Sequence, residues 1–124
     1  MRVYIAGTMT GKFDYKEYFM RAEKYVKELG HIVVNPAYLP EGLDNYFEIN
    51  KAMIDQCDAI YVLLDYENSE GTSKEIEYAT KTKKQVMYQT REQAGEIGWK
   101  WMPDYYSRYP YYYYGAGAGL SPLW

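Results

Sequence analysis

Among the residues able to do chemistry, Glu75 stands out by its setting in "SEGTSKEIEYA", Ser69 to Ala79, which follows the apolar run "AIYVLLD". A buried strand ends there, the chain turns through Gly71, and a helix begins with a glutamate in its first turn. Two readings of Glu75 stay open. Thr72 with Glu75 three residues later fits a capping box, in which the two residues satisfy each other's backbone donors. A carboxylate in a first helical turn is also stabilised as an anion by the unpaired N–H groups and the helix dipole. Facing a cleft, it would be an ionised nucleophile or base near neutral pH.

Other reactive groups are sparse. "GTMTG" offers Gly7, Thr8, Thr10 and Gly11, whose hydroxyls and amides could hold a sugar or phosphate, but it matches neither dinucleotide fingerprint nor phosphate loop. Asn35-Pro36 reads as a strand-ending turn as well as a candidate ligand contact. Cys57 reads as a small buried apolar residue. His31, the lone histidine, reads as structural. The sequence offers no zinc-binding cluster and no Ser-His-Asp set, so no metal or cofactor is expected.

The elements that must position these groups follow from periodicity. "RVYIA", "HIVV", "AIYVLL" and "QVMYQ" are short β-rich runs, the third apolar on both faces. Between them lie helical patterns: one from Tyr15 to Leu29, with Tyr18, Phe19, Ala22, Val26 and Leu29 at helical spacing, Asp14 before it and Gly30 after it. A second follows Asp44, a candidate N-cap, and a third runs through about Lys83. This alternation predicts an α/β doubly wound parallel sheet of four to five strands with ligands beyond the strand carboxyl ends. The loops at those ends hold Gly7–Asp14, Asn35–Asp44 and Asp65–Thr72.

The 124 residues suit one domain over 1–90 with an extension over 91–124. With 14 basic and 17 acidic side chains, no broad nucleic-acid footprint is expected. One cysteine fits a reducing cytoplasm, and no run approaches the roughly 20 apolar residues that span a bilayer. The extension departs from this pattern. Of 17 tyrosines, seven lie between Tyr105 and Tyr114. Such aromatic density suits contact with another copy of the chain, or a larger assembly. Stacking on single-stranded nucleic acid is disfavoured by the few basic residues nearby.

"YIAGTMTG", "GHIVVNPA", "CDAIYVLL" and "SEGTSKEIEYA", in this order, resemble the nucleoside 2-deoxyribosyltransferase-like superfamily over roughly residues 1 to 90. The likeness is to its small phage and bacterial branch and to nucleoside 5′-monophosphate N-glycosidases. The resemblance implies a flavodoxin-like or Rossmann-like sheet, a homo-oligomer, and N-glycosidic cleavage of a nucleoside or nucleotide, by a 2-deoxynucleoside 5′-monophosphate N-glycosidase or a nucleoside 2-deoxyribosyltransferase. It makes Glu75 the nucleophile on the anomeric carbon, with release of the sugar to water or to a second base. Ser69, with Gly71, implies a 5′-monophosphate, because members acting on free nucleosides carry an acid near this glycine. Gly7, Thr8, Thr10, Gly11 and Asn35 would line the sugar and base side.

Two departures qualify the resemblance. Asn50 stands where the family has an aspartate that orients a sugar hydroxyl and supports proton delivery, and an amide cannot exchange a proton. Glu77 replaces a common glycine. The alternative is therefore a catalytically impaired nucleotide-binding or self-assembling protein.

Overall fold

The computed structural model describes residues 1–9, 14–64 and 69–94. Strands β1 (Arg2–Ala6), β2 (Ile32–Val34), β3 (Ala59–Val62) and β4 (Gln85–Tyr88) alternate with helices α1 (Tyr15–Glu28), α2 (Tyr46–Asp55) and α3 (Glu70–Lys81). A 3-10 turn, Pro36–Tyr38, follows β2. All pairings are parallel, in the order β2-β1-β3-β4, so the chain reverses its direction of travel across the sheet at β1. This is the expected α/β doubly wound fold. No helix among the described residues is long and apolar enough to cross a membrane.

Side-chain alternation along β1 splits the core into two layers. Val3 and Ile5 join Phe19, Ala22 and Val26 of α1 beneath one face, together with Tyr61 and Met87. Tyr4 and Ala6 join Ile54, Ile60, Val62 and Ala79 beneath α2 and α3 on the other. All four residues of β3 are buried, which is why that run has no polar alternation.

The helix ends show where local sequence decides structure. Gly30, at φ +95°, closes α1: its amide donates to Lys27 O and that of His31 to Val26 O, a Schellman arrangement. Asp14 precedes α1 but makes no side-chain cap bond. The cap of α2 is Asn45, not Asp44, and its side chain accepts from the Glu48 amide. Helix α3 begins earlier than a Thr72 cap would place it. Ser69 is the N-cap, with its Oγ accepting from the Thr72 amide at 3.1 Å.

Gly7 is fixed by packing rather than by a turn. A Cβ there would lie 3.0–3.1 Å from the Leu63 side chain, and the Leu63 amide donates to Ala6 O at 2.8 Å. A side chain at position 7 would therefore require Leu63 to give way by a few tenths of an ångström.

Past β4 the chain remains tied to the sheet. Gln93 is buried, its Oε1 accepting from Tyr61 Oη at 2.8 Å and its Nε2 donating to Tyr25 Oη at 3.2 Å. The described residues therefore include a short stretch beyond position 90 that packs on the α1 side. The aromatic segment of the extension lies outside the described residues.

Candidate functional site

A cleft of about 580 Å³ opens where the carboxyl end of β1 meets the start of α3, the position at which doubly wound sheets hold ligands. The volume lies within the range of small-molecule pockets. Gly7 and Thr8 supply one wall, Tyr46, Phe47 and Asn50 of α2 another, and Ser69, Gly71 and Glu75 a third. Tyr15 and Phe19 of α1 add aromatic surface. The loop between the 3-10 turn and α2 is held by Tyr46 Oη, which donates to Pro40 O at 2.6 Å and accepts from the Leu43 amide at 3.0 Å.

Glu75 lies on the floor of this cleft at 7 % exposure. Tyr4 Oη donates to its Oε2 at 3.2 Å, and Asn50 Nδ2 donates to the same oxygen at 2.8 Å. The capping box does not form. With Ser69 as N-cap, Glu75 sits in the second turn, and Thr72 instead donates its hydroxyl to Ser69 Oγ at 2.8 Å. Among the described residues, both hydrogen bonds to Glu75 fall on Oε2.

The charge state differs from the sequence expectation for the same reason. Burial pushes the Glu75 carboxyl up to about 7, against the opposing pull of the Asn50 and Tyr4 hydrogen bonds. One turn deeper than expected, Glu75 gains little from the dipole, which acts mainly within the first turn. Near neutral pH it is therefore divided between acid and anion. The Tyr4 hydroxyl is held well above its ordinary value, first by burial and then by the Glu75 charge, so it stays a donor.

Asn50 is 9 % exposed, and its Oδ1 has no hydrogen-bond partner among the described residues. Ser69 Oγ accepts twice from Thr72, so its own proton remains to be donated. Beside it, the amides of Glu70 and Gly71 have no intrahelical partner, as in any first helical turn.

Not every expected residue converges here. Asn35 is buried, and its side chain is used within the fold. Nδ2 donates to Glu23 Oε1 at 2.9 Å, while Oδ1 accepts from the Ala37 amide at 2.9 Å and caps the 3-10 turn. It does not line the cleft, because Pro36 starts that turn and draws the asparagine beneath it. Thr10 and Gly11 lie outside the described residues. Tyr4 is the residue that sequence reasoning missed. Its signal was present: a lone hydroxyl in an otherwise apolar strand needs a partner once buried, and alternation points it towards α2 and α3.

A family described as a domain of unknown function, DUF4406, matches residues 1–88. The chain belongs to that family. The DUF4406 match covers every described residue of the cleft and stops at the last residue of β4. No curated protein matches the chain.

Proposed function

We propose that this chain cleaves the N-glycosidic bond of a nucleotide, with Glu75 Oε1 attacking C1′ of the sugar. The observation that carries the reading is Glu75 itself: a buried carboxylate that lines a nucleotide-sized cleft and takes both its hydrogen bonds among the described residues on one oxygen. Among the described residues Glu75 is hydrogen-bonded only by Tyr4 and Asn50, both of which also line the cleft, and it does not cap the helix.

In this reading the C1′–N bond breaks with its electron pair going to the base, which takes a proton from solvent. Oε1 bonds to C1′, and the carboxylate offsets the positive charge that develops there. Water then attacks C1′, its proton passes to solvent, and the carboxylate leaves, giving free base and sugar. The Ser69 hydroxyl with the amides of Glu70 and Gly71 would receive a 5′-phosphate, which gives a nucleoside 5′-monophosphate as the substrate. Transfer of the sugar to a second base would use the same intermediate. The resemblance of the four sequence motifs to deoxyribosyltransferase-like proteins supports the same chemistry.

One observation favours a binding protein instead. Asn50 cannot donate and regain a proton as an acid would, so the leaving base gets no help from that position. Incubation with a panel of nucleosides and their 5′-monophosphates, followed by chromatography for free base, separates the two readings. Release that is lost in Glu75→Gln supports the glycosidase. Nucleotide binding without release from any substrate supports the binding protein.

A further inference from the structure

Glu41, Glu70 and Glu75 are the charged side chains that line the cleft among the described residues, so its walls offer no positive charge to a phosphorylated ligand. Such a ligand would be repelled unless a cation reaches it from beyond the lining. Two ammonium groups meet at a ring of the cleft wall. Lys51 Nζ lies 4.9 Å from the centroid of Phe47, and Lys74 Nζ lies 6.0 Å from it.

The two lysines differ in what already holds them. Lys51 Nζ pairs with Glu48 at 3.0 Å and also lies 5.8 Å from the Tyr78 centroid, so its charge is met. Lys74 is exposed and has no ion-pair partner among the described residues, Glu70 one turn before it included. Its contact with Phe47 sits at the outer limit of a cation–π interaction, and an exposed one holds weakly. Lys74 follows Gly71 by three residues, which puts it on the same face of α3 as the turn that lines the cleft. Helical side chains lean towards the amino end of their helix, here towards Ser69 and Gly71.

We propose that Lys74 leaves Phe47 to pair with the 5′-phosphate of the bound nucleotide, and that it, rather than Lys51, sets the preference for a phosphorylated ligand. This inference rests on the reading above, in that it needs a nucleotide whose phosphate lies near Ser69. A lysine suits the role, because its flexible four-carbon stem carries a point charge from a ring to an anion without disturbing the helix. Sugar and base gain nothing from that charge, so the effect of Lys74 is confined to the phosphate.

The test is calorimetric titration of the full chain with the 5′-monophosphates of the four common deoxynucleosides and with the four matching nucleosides. Lys74→Gln should weaken monophosphate binding about tenfold or more, the loss of one charge-assisted contact, and leave nucleoside binding unchanged. Lys74→Arg should restore it, and Lys51→Gln should change neither. Added salt should weaken monophosphate binding more in wild type than in Lys74→Gln. Monophosphate binding that survives Lys74→Gln, an equal loss for nucleosides, an equal loss in Lys51→Gln, or no monophosphate binding by wild type would overturn the proposal. Base release keeps this apart from failure of the glycosidase reading. Glu75-dependent release from monophosphates below KM that is indifferent to Lys74→Gln overturns the Lys74 assignment alone. A Lys74-dependent phosphate preference without release from any nucleotide leaves the counter-ion standing and overturns the chemistry.

Discussion

Tyr4 on β1 and Glu75 on α3 are 71 positions apart in sequence and share a hydrogen bond of 3.2 Å in the interior. The bond joins the strand at which the sheet reverses direction to the helix that carries the carboxylate. Loss of the Tyr4 hydroxyl removes a donor that favours the charged form of Glu75. Tyr4→Phe should therefore shift the acid limb of the base-release profile to higher pH and lower the rate at pH 7 by roughly tenfold. Rates measured across pH 5 to 9 check it, because a purely structural lesion would lower the whole profile without moving its midpoint.

Glu75 also makes stability depend on pH in an unusual direction for a carboxylate. Its folded value, about 7, lies above the ordinary 4.5, so the folded state binds more protons across that window. Its favourable contribution is complete below about pH 4.5 and is lost as pH rises through about 7. The change is on the order of 3 kcal/mol. Urea denaturation at pH 5 and pH 8 should show this decline in wild type, and Glu75→Gln should flatten it while abolishing base release.

Ser69→Ala tests the N-cap and the phosphate contact together. Loss of the cap to Thr72 should cost about 1 kcal/mol in denaturation. If Ser69 also donates to a 5′-phosphate, KM for a monophosphate should rise while that for the matching nucleoside stays unchanged.

Asn35→Ala should do the reverse. It leaves the Ala37 amide without its acceptor and Glu23 without one donor, at a cost of about 1–3 kcal/mol. KM should not move, since Asn35 does not line the cleft. A change in KM at unchanged stability would place Asn35 in the binding site after all.

The sheet and its loops were legible because strand and helix periods differ and because β3 is apolar on both faces. The positions of Gly7, Ser69, Gly71 and Glu75 at one end of the sheet followed from that topology. What local sequence misjudged was competition between neighbours. Two hydroxyl residues three apart, Ser69 and Thr72, could each cap α3, and the earlier one does so. That choice moves Glu75 one turn inward, away from the helix amides and into contact with Tyr4 and Asn50. The Tyr4 hydroxyl signals a buried partner from its own strand, but nothing in either segment alone names Glu75 as that partner. Asn35 was misjudged for a similar reason, because its partner Glu23 is on α1, twelve positions away.

Gln93 lies five residues past the end of the family match, yet it is wedged between two tyrosine hydroxyls in the interior. A protein trimmed at the family boundary would strip Tyr61 of its acceptor and open that layer to water. The packed layer on the α1 side therefore takes in a side chain from beyond the last strand, outside the stretch that the family match covers.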